Sequence, residues 1–160
     1  MSMAFMEEDV GRLGRILRDL LRQSGAEGGV VCDSGGYVLA KEGPSSQDPL
    51  LVSALGAGVF GASRELARLL GEDEFSAVFH QGEKRSIFIR SVNSEVLLVV
   101  IFSMSASIGL VRLYSGPAAA SIRKVIDEVE QRGQRVTHPE QQFVLSDKGA
   151  LFGANPDSDV

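Results

Sequence analysis

The chain has 160 residues and a mass of 17.1 kDa, the size of one ordinary domain. A hydrophobic fraction of 44% and a charged fraction of 23% supply a core and exclude global disorder. With 16 basic and 21 acidic residues the formal charge is −5, which speaks against a nucleic-acid-binding face, and one cysteine excludes a disulfide framework or a cysteine-rich zinc module.

Met1–Val10 carries three acidic residues and no basic one, unlike a signal peptide. Val96–Met104, the longest uncharged apolar run, is too short to insert across a bilayer. The expectation is a soluble cytoplasmic protein.

The first element reads as a helix from Met3 to Ser24. Val10, Leu13, Leu17, Leu20, Leu21 and Ser24 recur at spacings of three and four, and Gly25 is the stop. Two strands follow, Gly28–Cys32 and Tyr37–Ala40, joined by the turn Asp33-Ser34-Gly35-Gly36. Lys41–Pro49 reads as a loop.

Leu50–Leu70 returns to the helical period. Leu51, Leu55, Val59, Ala62, Leu66 and Leu69 or Leu70 form a stripe expected to face a sheet. The same helix holds Gly56, Ala57, Gly58, Gly61 and Ala62. Interior glycines cost roughly 1 kcal/mol each relative to alanine, so a compensation is expected. Close approach of another backbone supplies one. With the leucines inward, Ala57, Phe60, Gly61, Arg64 and Arg68 point away from the sheet. An aromatic and arginines beside small residues suit a protein contact, so these five are the candidate partner interface.

Phe75–Gly82 reads as a loop with a brief extended piece. Three strands are then expected: Ser86–Val92, Val96–Phe102 and Gly109–Tyr114. The second is apolar on both faces and therefore central. A last helix starts near Gly116-Pro117, carries Ile122, Val125, Ile126 and Val129, and stops at Gly133. The predicted fold is α+β, in the order α–β–β–α–β–β–β–α. It has a five-stranded antiparallel sheet, the central helix on one face and the terminal helices on the other. Residues 1–132 form the domain, and residues 133–160 a flexible or partner-docking tail, with Phe143–Phe152 as its candidate contact.

No constellation resembles an active site. Gly56-x-Gly58-x-x-Gly61, with Asp73 and Glu74 downstream, matches the dinucleotide-binding string. That motif needs a strand and a tight turn before its helix, whereas here the glycines fall inside a helical stripe. His80 and His138 lie apart, which argues against a metal site or a histidine triad. Cys32 has no activating base in sight, and Asp33 reads as a turn cap. Glu83, Lys84 and Arg85 read as a solvated strand entrance. No cofactor is expected.

The layout resembles the Roadblock/dynein light chain family from about Val10 to Val129, and most nearly its bacterial MglB-like members. Val31-Cys32-Asp33-Ser34-Gly35-Gly36 and Leu69-Leu70-Gly71-Glu72-Asp73-Glu74-Phe75 carry the resemblance. So do Phe79-His80-Gln81-Gly82-Glu83, Leu97–Phe102 and Ser107–Leu113. It implies a homodimer with adjacent central helices and sheets joined edge to edge. It further implies a GTPase-activating protein for a small Ras-like, MglA-like GTPase, in cell polarity and motility regulation. Such an activator has no active site of its own and works by favouring a GTPase conformation whose own residues catalyse phosphoryl transfer. Ala57, Phe60, Gly61 and Arg64 are then the partner contacts. The alternatives are a scaffold or adaptor that binds a GTPase or motor component, and a sensor with a small ligand pocket.

Overall fold

A computed structural model describes residues 4–44, 48–73 and 75–153, with side chains as far as residue 134. The order is α1 (Glu7–Ser24), β1 (Gly28–Asp33), β2 (Val38–Glu42), α2 (Pro49–Leu69), β3 (Ala77–His80), β4 (Arg85–Ser91), β5 (Val96–Ser103) and α3 (Ile108–Gly153). The strands form one antiparallel sheet in the order β2-β1-β5-β4-β3. The expected α+β architecture is therefore present, with α2 on one face and α1 and α3 on the other.

β5 is central because nothing in it needs water. Val96 to Phe102 is buried throughout, and β1 and β4 pair with its two edges. Its side chains alternate between two cores. Leu98, Val100 and Phe102 join Leu13, Leu17, Phe88, Ile122 and Ile126 beneath α1 and α3. Leu97 and Val99 join Val30, Cys32, Ile89 and Phe60 beneath α2.

Two glycines, one at a helix end and one in a turn, follow the sequence logic. Gly25 adopts φ 76° and its N–H bonds Leu21 O at 2.9 Å, which closes α1. Gly36 has φ 91°, and a Cβ there would stand 3.0 Å from Ala54 Cα. Glycine thus lets the β1–β2 turn close onto α2.

Three expectations change. Gly109–Tyr114 is not a strand but the opening of α3. Val111, Ser115, Ala118 and Ile122 are its buried positions, spaced four, three and four apart. The fifth strand is instead β3, a short edge strand inside the segment read mainly as a loop. It is anchored by Phe79, whose ring stacks on Phe102 at 5.9 Å. Pro117 is interior to α3 rather than at its start. It removes the N–H that would reach the carbonyl of Leu113. Both residues are exposed, so water is near the orphaned carbonyl. Finally, α3 does not stop at Gly133 but runs to Gly153. The side chains of Phe143–Phe152, the expected tail contact, lie outside the described residues, as do those of His138.

Candidate functional site

α2 begins one residue before the expected start, at Pro49 rather than Leu50, with Asp48 as its cap. The Asp48 carboxylate accepts from the N–H groups of Leu50 at 3.1 Å and Leu51 at 3.4 Å, and Pro49 occupies the first turn. One side of the helix then closes on the sheet through Ser53, Gly56, Phe60 and Ala67, all buried. A Cβ on Gly56 would meet Val99 Cγ2 at 3.4 Å, so its absence sets how near the helix axis lies to β5. Phe60, 2% exposed, fills the space one turn further on.

This reverses the faces expected from the sequence. Phe60 points at the sheet, not away from it. The leucine stripe points away: Leu51, Leu55, Leu66 and Leu69 are 57%, 63%, 53% and 82% exposed. The physical reason is size. Gly56 and Ser53 allow contact with the sheet that a row of leucines would hold off, and one phenylalanine suffices to plug the gap beyond them. The periodic stripe is real, but among the described residues nothing covers its leucines.

The other four candidates are scattered. Ala57 is half-buried against the core under α2. Arg64 is half-buried; its guanidinium donates to Ser94 O at 2.6 Å and lies 5.4 Å from the centre of the Phe60 ring. It ties α2 to the β4–β5 turn. Arg68 is exposed and pairs with Glu65 at 3.3 Å. Gly61 is exposed. The structure therefore brings Phe60 and Arg64 together, but as an internal cover for the core.

What the sequence reading missed is the outward surface. Gly58 and Ala62 interrupt the leucine stripe at its middle. At Gly58 and at Gly61 an added Cβ would meet nothing within 4 Å, so packing within this chain does not require glycine there. Beside the stripe runs an apolar groove of about 210 Å³, lined by Leu51, Leu55 and Val59 of α2 and by Ile87, Ile89 and Val99 of the sheet. α2 packs on β1, β2 and β5, so β3 and β4 keep much of this face open. The signal was available: a helix apolar on both sides needs two partners, and only one sheet face awaited it. By length and composition α2 is also apolar enough to cross a membrane, although here it lies on the sheet.

The two sheet edges differ. β2 is a guarded edge. It carries exposed Lys41, Glu42 is held by Arg18 at 2.6 Å, and the ladder to β1 bulges between Val31 and Cys32. β3, Ala77-Val78-Phe79-His80, has no acidic or Lys/Arg side chain and keeps regular register with β4.

Candidate chemical groups stay apart. Cys32 is fully buried, and burial pushes its thiol up to about 11, with the Ser53 hydroxyl acting the other way. It is a neutral core residue near pH 7. The Asp33 carboxylate accepts from the N–H groups of Gly35 and Tyr37, both at 2.9 Å, as a turn cap should. Gly56, Gly58 and Gly61 sit in continuous helix, without the strand and turn a dinucleotide site requires; Glu74 lies outside the described residues. Among the described residues no cluster of His, Cys, Asp and Glu is arranged to hold a metal ion.

Residues 13–102 match the Roadblock/LC7 domain, more than half the chain. This chain belongs to the Roadblock/LC7 family. Within it, the gliding protein MglB of Thermus thermophilus is 29% identical, with a TM-score of 0.75, covering 79% of this chain and 97% of that one. Myxococcus xanthus MglB is 31% identical, with a TM-score of 0.73, covering 79% and 96%. An uncharacterized protein of Methanocaldococcus jannaschii is 29% identical over 111 residues, 69% of this chain and 96% of its own length. The Roadblock fold thus accounts for the sheet and its three helices, and the MglB likeness extends over most of the chain.

Proposed function

We propose that this Roadblock protein is a homodimeric regulator that stimulates GTP hydrolysis by a small Ras-like GTPase, as an MglB-like activator. The observation that carries the reading is the uncovered leucine stripe of α2, broken at its centre by Gly58 and Ala62, beside the unguarded edge of β3. Pairing β3 with a second copy would extend the sheet and set the two open half-faces side by side. The two leucine stripes would then meet, with the small residues giving room for the helices to cross. Fully burying a leucine contributes roughly 1.5–3 kcal/mol, so even partial burial of four from each copy is a substantial driving force. The joined α2 pair then offers a rigid platform to the GTPase. Arg64 is engaged with Ser94 and Phe60, so the reading assigns no arginine finger and leaves phosphoryl transfer to the GTPase's own residues.

The test is to mix the purified chain with a small Ras-like GTPase from the same organism, loaded with GTP, and time phosphate release. Acceleration that depends on dimer concentration is expected. Binding without acceleration would make the chain an adaptor, and neither binding nor acceleration across those GTPases would sink the reading.

A further inference from the structure

The opposite side of the molecule carries a feature the α2 surface does not explain. Between Glu95 and Asp127 the sequence has no acidic residue, although the chain as a whole is acidic. The cations in that interval are Arg112, Arg123 and Lys124, all exposed on α3. Arg15 on α1 is exposed on the same side of the sheet. Most arginines of α1 have carboxylate partners: Arg12 pairs with Glu128, Arg18 with Glu42 and Arg22 with Asp19. Arg15, Arg112, Arg123 and Lys124 form no such close ion pair among the described residues, although the charge of Lys124 is felt by Glu128, and Asp19 lines the same shallow hollow as Arg15 and Lys124.

The apolar side chains nearby are exposed too. Met104, Leu110 and Leu113 are 67%, 43% and 62% exposed. Leu113, Pro117, Ala120 and Lys124 follow one another at spacings of four, three and four, on the side of α3 turned away from buried Val111, Ser115, Ala118 and Ile122. They therefore form the outermost line of the helix. It is a ridge with leucine at one end, lysine at the other, and arginines at its flank.

We infer that this face of α3 is a peripheral docking surface for an anionic lipid bilayer. A ridge suits a surface that comes to it, whereas a peptide needs a groove to enter. Exposed leucines flanked by solvent-exposed cations match the chemistry of helices that lie in the headgroup region: apolar groups reach the acyl boundary while the cations neutralise lipid phosphates and carboxylates. The surface does not require the dimer. Joined through β3, two copies would present both ridges on one face, opposite α2, and so bind with two sites at once.

The experiment is flotation of the full chain with vesicles of phosphatidylcholine alone and of phosphatidylcholine mixed with phosphatidylserine. The chain floats with the mixed vesicles at low salt, not with phosphatidylcholine alone, and is released as salt rises. Arg112→Gln and Lys124→Gln each weaken binding by about fivefold. Leu113→Ser weakens it at unchanged melting temperature. All three sites are exposed, so the variants remain folded, and melting curves verify this. Three results overturn the inference: no flotation with the mixed vesicles, equal flotation with both, or glutamine variants that float as the parent does. Retention on polyglutamate without flotation likewise overturns it and assigns the ridge to an acidic protein. Sedimentation of the same samples reports the dimer separately, so a monomer that floats leaves this inference standing while the dimer reading fails.

Discussion

Under α1 and α3, Leu13, Leu17, Leu20, Phe88, Ile122 and Ile126 are sealed from water, and two ion pairs bind the helices to each other: Arg12 to Glu128 at 2.5 Å and Arg132 to Asp9. Under α2, Phe60, Cys32, Leu97 and Val99 are sealed as well, yet the helix above them stands with its leucines in solvent. Two helices cover the first face, and one covers only part of the second. The first face is complete as a folding unit. The second has the composition of an interior and the exposure of a surface, the observation on which the dimer reading rests.

The sharpest way to break this comparison is to truncate one residue from each side of α2. Phe60→Ala should cost about 3–5 kcal/mol of unfolding free energy, as expected for a large buried aromatic. Leu55→Ala, measured at a concentration where the chain is monomeric, should change it by about 0.5 kcal/mol or less. Denaturant titration of both variants reads the difference. If Phe60→Ala is mild and Leu55→Ala severe, the helix faces the other way and the comparison is wrong.

That pair of variants also marks the limit of what was legible in the sequence. Helical spacing found the stripe Leu51, Leu55, Leu66 and Leu69 correctly, but periodicity reports which side chains share a face, not what the face meets. In a monomer an apolar stripe must face inward; in a chain built to assemble, two stripes can exist. Gly56 and Phe60 decide the matter through shape, and shape against Val99 appears only in three dimensions. The strand misread at Gly109–Tyr114 has a similar origin. Val111 and Leu113 alternate with Leu110, Arg112 and Tyr114 over a short window, and Gly116-Pro117 reads as a boundary. The buried series from Val111 to Ile122 passes straight through that boundary because Pro117 lies on the solvent side. β4 and β5 are legible as dense apolar runs rich in β-branched residues and phenylalanine, and β1 and β2 through the Asp33-Ser34-Gly35-Gly36 turn that joins them.

Next in size is the effect on assembly. Leu55→Asp places a charge in the middle of the stripe without touching the core, so the protomer should keep its melting behaviour while sedimentation shifts from dimer to monomer. Stimulation of the GTPase should fall with it. A Leu55→Asp chain that stays dimeric would place the contact elsewhere and leave the exposed leucines without a partner.

The closed face offers a test of its own, through pH. Asp9 is buried, accepts from Met6 N at 2.8 Å and from Arg132, and the Arg132 hydrogen bond holds its carboxyl below the usual carboxylate range against the cost of burial. Its folded-state value lies below its unfolded one. The stability it contributes is therefore fully present above the unfolded value, about pH 4, and is lost as pH falls through the folded value. Asp9→Asn should be less stable than the parent at neutral pH, and the gap should close on acidification. Unfolding curves at neutral pH and near pH 3 check this; a gap that widens in acid would mean the carboxyl is not held by Arg132.

The smallest effect is the most discriminating, because the two faces predict opposite signs for one methyl group. Gly58 lies mid-helix with open space where a Cβ would be. Within a single chain, Gly58→Ala should therefore stabilise α2 by up to about 1 kcal/mol, the difference in helix propensity. In a dimer where the helices cross at Gly58, the same methyl holds the backbones apart and weakens association. Unfolding measured at low concentration should thus show a gain, while the dimer dissociation constant should rise. A gain in both would mean that the glycine serves no contact, and the case for helix crossing at Gly58 would fall, leaving the leucines alone to explain the open face.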